Sequence, residues 1–176
     1  MRETEYNYQY TSQGKNDECY TPHEGVEALL PYMGNPIDKI IWCPFDTEES
    51  EFYKVLTENG YNITISDIKT GQDFFTYQPP KWDIMISNPP FTNKRAIFER
   101  ALSFNKPFAL LAPVTWLNDA APVQLFRNNN LQLFIFEKRL KFKNQEQKCK
   151  INFKSIYFCR NFLPRNIVFE GEYSSK

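Results

Sequence analysis

The chain has 176 residues, with 21 basic and 21 acidic side chains, a single histidine and four cysteines. That length suits one domain with a substantial core, and a large recognition domain beside a catalytic core is not expected. Zero formal charge excludes a wholly electrostatic nucleic-acid binder, and one histidine without any CxxC pair argues against a zinc site or a Ser-His-Asp or Cys-His hydrolase. The 16 Phe and 10 Tyr rule out a disordered chain, and the six Gly argue against a loop-heavy or repeat architecture. No run is apolar enough to span a membrane and no signal peptide is evident, so a cytoplasmic protein with reduced thiols is expected.

In chain order, residues 1–17 are polar and read as a flexible arm; the domain is expected over 18–165, with 166–176 as a loose tail. Thr21-Pro22-His23-Glu24 predicts a helix start, with Thr21 as N-cap, Pro22 at the first helical position and Glu24 completing a capping box. Val26, Leu29 and Leu30 form its apolar side, and Pro31 and Gly34 end it. Residues 38–43 read as the first sheet strand, which runs into Pro44-Phe45-Asp46-Thr47-Glu48-Glu49. Thr47 is a candidate cap for a helix over 51–59 that turns Phe52, Val55 and Leu56 inward.

Residues 61–67 alternate with β-branched side chains and predict a second strand ending at Asp67. An acid there either accepts hydrogen bonds from ribose hydroxyls or simply forms the turn before Gly71. Gly71-Gln72-Asp73-Phe74-Phe75 then reads as a short surface strand with its phenylalanines in the core.

The stretch 82–91 organises the rest. Ile84-Met85-Ile86 predicts a strand buried on both faces, and Asn88-Pro89-Pro90 breaks it. The side-chain oxygen of Asn88 and the carbonyl of Pro89 are two acceptors able to hold one amino group. Phe91 offers a ring for stacking. An amine on a flat ring describes a nucleobase; a strand ended by a common Asn-Pro turn is the plainer alternative. A helix follows, with Ile97, Ala101 and Phe104 on one face, and Lys94 and Arg95 near its start are either phosphate contacts or solvated helix charges.

Residues 107–113 predict another buried strand, whose exit carries Trp116, a core residue or a stacking platform. A helix over 120–130 and a strand over 131–136 come next. Residues 137–150 are polar and basic, with Lys138, Arg139, Lys141 and Lys143, and could meet phosphates or form a solvated face. The alternation over 151–159 predicts an antiparallel edge strand or hairpin arm.

Asn88-Pro89-Pro90-Phe91 after an Asp-Ile-Met-Ile strand resembles the Asn-Pro-Pro-Tyr/Phe motif of amino-methylating DNA methyltransferases, which use S-adenosylmethionine and mostly target the N6 of adenine. The resemblance spans residues 20 to about 164 and is narrowest to small adenine-methyltransferase-like proteins of phages and their bacterial hosts. It implies cofactor contacts at Tyr20, Thr21 and Pro22, at Pro44 and Phe45, and at Asp73 and Phe74 around the adenine ring; Asp67, from its place at the end of the second strand, and Asp46, which stands where the family has its turn, are further cofactor candidates. It implies catalysis at Asn88, Pro89, Pro90 and Phe91. Lys138-Arg139-Leu140-Lys141-Phe142 is similar to an Arg-Ile-Lys-Phe sequence of the small enzymes, so this loop, with Lys94, Arg95 and Lys143, is the implied DNA contact. The chain departs from the pattern after Pro44-Phe45, where the expected glycine-rich turn is replaced by acids that would attract the cofactor's cationic groups and repel its carboxylate.

Alternating strands and helices imply a three-layer α/β sandwich with a mostly parallel sheet and an antiparallel strand near the C-terminus, the methyltransferase version of a Rossmann-like fold. The expected function is methyl transfer from S-adenosylmethionine to an adenine amino group, with DNA as partner. The alternative is a catalytically inactive protein on the same scaffold, binding DNA or inhibiting a host nuclease or defence complex. RNA, a protein glutamine or a free base are further substrates compatible with the same tip.

Overall fold

The computed structural model describes residues 19–143 and 153–172. The expected N-terminal arm and the part of the basic loop beyond Lys143 lie outside the described residues.

Among the described residues seven strands form one sheet: β1 (Ile40–Cys43), β2 (Asn62–Ile65), β3 (Ile84–Ser87), β4 (Phe108–Pro113), β5 (Gln132–Ile135), β6 (Ser155–Arg160) and β7 (Ile167–Phe169). Their spatial order is β2-β1-β3-β4-β6-β5-β7. Neighbours from β2 to β4 run parallel, β6 runs antiparallel to both β4 and β5, and β7 returns parallel to β5.

Alternate residues of the strands feed two separate cores. Ile41, Cys43, Ile84, Ile86, Ala109 and Tyr157 point to one face, where they meet α1 (His23–Glu27) and α2 (Glu51–Glu58) through Val26, Phe52, Val55 and Leu56. Trp42, Met85, Phe108, Leu110 and Phe158 point to the other, against α3 (Lys94–Ser103) and α4 (Ala120–Phe126) through Ile97, Phe98, Ala101 and Phe126. Every side chain of β3 and β4 is buried, which is why their sequences read as apolar runs rather than as alternations. The architecture is the expected α/β sandwich with a Rossmann-like sheet. Trp116 is core: it is 3% exposed and packs its ring 4.6 Å from that of Phe98.

Several local expectations differ from what forms. Of the two readings of 151–159, the antiparallel hairpin arm forms and the edge does not: β6 pairs antiparallel with β5 and, along six residues, with β4, which makes it an inner strand. The polar residues that suggested alternation, Asn152 and Lys154, precede it. The tail beyond 165, expected to be loose, contributes β7. The capping box is absent: Pro22 is the N-cap position of α1, without a side-chain cap bond, and the Thr21 hydroxyl makes no hydrogen bond. Ser50 rather than Thr47 caps α2, its hydroxyl oxygen accepting from Tyr53 N at 3.2 Å. Of the thiols, Cys43 and Cys159 are free and buried, whereas Cys19 is disulfide-bonded, against the expectation of reduced cysteines throughout.

β2 lies on one side of β1, and β3 on the other. The chain therefore reverses its direction of travel across the sheet at the carboxyl ends of β1 and β3, which leaves a crevice at that point. The segments leaving β1, β2 and β3 all open into it.

Candidate active site

The crevice is a cavity of about 580 Å³, within the range of about 300–1,000 Å³ usual for small-molecule sites. Its walls are the segments 19–21, 44–47, 50–52, 67–69, 73–75 and 88–93, with Ile97. It thus gathers Tyr20, Thr21, Pro44, Phe45, Asp46, Asp67, Asp73, Phe74 and the whole of Asn88-Pro89-Pro90-Phe91 around one volume. Pro22 is buried beside it but does not line it.

Among the described residues, two buried oxygens on this wall lack partners. Asn88 follows the last residue of β3, and its Oδ1 is shielded from solvent without a hydrogen-bond donor. Thr21 is 5% exposed, and its Oγ1 likewise has none. An unsatisfied buried acceptor costs about 1–3 kcal/mol, so such atoms in a pocket wall point to a ligand that supplies the donor. Thr21 is held there by close packing. A Cβ added to Gly25 would come within 2.9 Å of Thr21 Cγ2 and 3.1 Å of Leu140 Cδ1, so only glycine lets α1 approach this closely. The hydroxyl of Tyr157, on β6, fixes the same turn by donating to the Gly25 carbonyl at 2.7 Å.

Asp46 forms the acidic floor. It is 8% exposed, and Ser87 Oγ donates to its Oδ2 at 2.5 Å. Burial pushes its carboxyl up to about 7; the hydroxyls of Ser87 and Ser50 oppose that rise, and the Asp67 charge adds to it. The missing glycines cost nothing here. The non-glycine residues with positive φ are Asn93, Asn105 and Asn161, so the 44–50 turn is built without left-handed backbone. It is fixed by β1–β2 pairing carried past the strand ends: Ser66 N donates to Cys43 O, and Asp46 N to Ser66 O.

The rim differs. Asp67 Oδ1 accepts from Lys69 N at 2.7 Å, and Asp73 Oδ1 accepts from Phe75 N at 3.0 Å, each carboxylate shaping its own turn. Both residues still line the cavity, so the ribose and turn readings of Asp67 are compatible. Residues 74–76 form a turn, so the plainer of the two readings of 71–75, a short surface strand with both phenylalanines in the core, does not hold. Phe74 is 3% exposed and packed against Phe45 and Trp42, while Phe75, 40% exposed, is the open ring beside it.

The expected phosphate contacts lie outside the cavity. Lys94 Nζ donates to the Phe91 carbonyl at 2.9 Å, tying α3 to the Asn-Pro-Pro-Phe tip. Arg95 donates to Glu99 at 3.0 Å and to Gln124 at 2.6 Å. Lys138, Arg139, Lys141 and Lys143 are exposed, on a segment anchored by buried Leu140 and Phe142. Lys143 pairs its backbone with Tyr20, which brings the basic segment to the cavity edge.

Sequence reasoning missed Ser87 and Arg100. A serine as the last residue of a fully buried strand was the available signal for the first. Arg100, on α3, donates to the carbonyls of Phe74 at 2.5 Å and Tyr77 at 3.2 Å, and its guanidinium lies 5.6 Å from the Phe74 ring centre. It clamps the loop carrying Asp73 to the helix that follows the tip. Nothing local in the sequence marks a contact across 26 residues.

No family model matches the chain, and no curated protein does. Among solved structures, it is similar to the methyltransferase subunit of a type I restriction-modification system from Streptococcus thermophilus, with 12% identity, 98% of this chain and 52% of that chain covered, and a TM-score of 0.49. It is also similar to tRNA (m1A58) methyltransferase TrmI from Aquifex aeolicus, with 12% identity, 84% and 72% covered, and a TM-score of 0.44. A release-factor-specific protein-(glutamine-N5) methyltransferase from Alicyclobacillus acidocaldarius gives 13% identity, 78% and 87%, and 0.37. The chain spans about half the length of the first. These likenesses are of chain path, and the functional reading rests on the site. Among the described residues no group of side chains could hold a metal ion, and no helix is long and apolar enough to cross a membrane.

Proposed function

We propose that the chain transfers a methyl group from S-adenosylmethionine to the N6 amino group of adenine in DNA. The observation that carries this reading is the buried, unpartnered Oδ1 of Asn88, on the wall of a cavity at the carboxyl end of β3. The donor it lacks is what an exocyclic amine supplies.

The cavity suits the cofactor in kind. Asp67 and Asp73 line it with carboxylates, which ribose hydroxyls and an adenine amino group need as acceptors. Thr21 Oγ1 and Asp46 add buried polar atoms to the same lining. When bound, S-adenosylmethionine supplies an electrophilic methyl group on a sulfonium. The chain's own residues do the rest. Asn88 Oδ1 and the Pro89 carbonyl accept the two N–H groups of the target amine and turn its lone pair toward the cavity. Phe91 stacks the extruded base. Holding the reactants in line supplies much of the rate. Lys138, Arg139 and Lys141, exposed on the segment that meets Tyr20, stand where the phosphates of the substrate would pass.

The absence of glycine after Phe45, the small size and the segregated charge are the motives for a catalytically silent binder on the same scaffold; the 44–50 turn, built without left-handed backbone, weakens the first of them. The test is transfer of a labelled methyl group to DNA by the purified chain, with the product digested and identified by mass. N6-methyladenine from the wild type, and about 10²-fold less or none from Asn88→Ala, is the expected result. Label in another base or on protein, or an Asn88→Ala variant as active as the wild type, would overturn it.

A further inference from the structure

Asp46 does more than line the floor. It is a carboxylate more than nine-tenths buried, whose described partners are hydroxyls rather than a cation. The Asp67 charge, after β2, acts on it from across the cavity, and Glu51 on α2 and Asp73 are further acids of the same lining. Lys69 is the only lysine or arginine among the described residues lining the cavity, and it is exposed. His23, half-exposed, lies 3.4 Å from Glu51 rather than from Asp46. Cys43 on β1 and Tyr157 on β6 are buried against the floor, and burial pushes both upward, away from ionisation. Among the described residues the lining therefore carries four acids against the single exposed Lys69, and the unpartnered Thr21 oxygen on the same wall points to a ligand.

The position of Asp46 says which positive centre it meets. Its partner Ser87 immediately precedes Asn88. The transferring methyl must lie next to the amine held at Asn88, so Asp46 sits at the sulfonium end of the cavity, not the adenine end. Resting on the function proposed above, we propose that Asp46 makes this site select the charged sulfonium cofactor over its uncharged thioether product, and that the carboxylate takes up the proton the reaction liberates. The balance closes. The S–CH₃ bond breaks with its electron pair left on sulfur, which becomes neutral. The amine lone pair forms the N–CH₃ bond, and the amine then sheds one proton. The Asp46 carboxylate, no longer facing a cation in a buried site, gains one proton and becomes neutral.

Calorimetry with S-adenosylmethionine and with S-adenosylhomocysteine, without acceptor, tests this in the wild type. An opposite charge within contact range moves a carboxyl by about 1–3 pH units, so the affinity ratio in favour of the sulfonium compound should widen about tenfold or more between about pH 5.5 and about pH 8.5. Repeating the titration in buffers of different ionisation heat should show protons released on binding the sulfonium compound near neutrality, and not on binding the thioether. Asp46→Asn, which keeps the shape and the Ser87 contact, should give a flat ratio and no such release. A wild-type ratio independent of pH, with both compounds bound, overturns the assignment of Asp46 alone. Failure of both compounds to bind at any pH overturns the proposed function with it.

Discussion

The floor and the rim of the cavity carry the same kinds of polar residue, and they use them differently. On the rim, Asp67 and Asp73 spend a carboxylate oxygen on their own backbone turns, and Arg95 is bonded to Glu99 and Gln124. On the floor and inner wall, Asn88 Oδ1 and Thr21 Oγ1 are buried without donors, and Asp46 is buried against hydroxyls. The rim groups spend hydrogen bonds on their own turns, whereas the inner oxygens of Asn88 and Thr21 spend none on the fold. In the function proposed above, that difference separates residues of architecture from residues of chemistry, and substitutions test it.

The largest effect is expected at Asn88. Asn88→Ala should lower methyl transfer by about 10²-fold or more, since the amine loses its orienting acceptor. The same change should leave the thermal midpoint of the free protein unchanged or slightly raised, because a buried acceptor without a donor stabilises nothing. A variant that lost stability as well as activity would move Asn88 to the architectural side.

Asp46 comes next, and its readout is pH. Its folded value, about 7, lies above the ordinary carboxylate range, so the folded chain holds a proton that the unfolded chain has released between about pH 4 and about pH 7. Stability from this group is therefore complete below about pH 4 and is lost as pH rises through about 7. The loss is on the order of a few kcal/mol. Denaturant midpoints of the free protein should fall over that window, and those of Asp46→Asn should not. An equal slope in both proteins would put the titration elsewhere.

Arg100 tests the rim from behind. Arg100→Met removes two donors to the 74–77 loop and should weaken S-adenosylmethionine binding about tenfold, matching a loss of about 1–1.5 kcal/mol. The rate at saturating cofactor should change little, since the Asn88 tip is untouched. Partial recovery in Arg100→Lys is expected. A fall in that rate with affinity intact would place Arg100 with the inner groups.

How much of this was legible beforehand follows the same division. The strands and the apolar helix faces were readable because burial on both sides of the sheet writes itself as apolar runs such as Ile84-Met85-Ile86. Asn88 stood out because two prolines after a buried strand break it and leave a polar amide at its carboxyl end. The inner position of β6 was not, since pairing order depends on which long connection crosses which edge, and residues 155–160 carry no mark of it. Nor was the Ser87–Asp46 bond, which joins residues 41 apart through the β1–β3 pairing. The glycine-poor turn looked like a defect because a pattern was expected there. None of residues 44–50 has a positive φ, so the turn formed here does not call for glycine.

The smallest effect is expected at Arg95, and it bounds the DNA reading. Arg95 sits at the start of α3 close to the tip, which is why the sequence suggests a phosphate contact. Its guanidinium is instead shared between Glu99 and Gln124, and the ion pair, half-exposed on both sides, is worth about 0.3–0.5 kcal/mol. Arg95→Ala should therefore change DNA affinity by less than about twofold, with the salt dependence of binding unaltered. Removing Lys138, Arg139 and Lys141 together should flatten the logarithmic salt dependence by about 0.9 for each phosphate that is no longer neutralised. If the Arg95 variant flattened it and the triple variant did not, the nucleic acid would cross the α3 side of the cavity rather than the Tyr20 side. The route of the substrate would then have to be redrawn around Lys94 and the Asn88 tip.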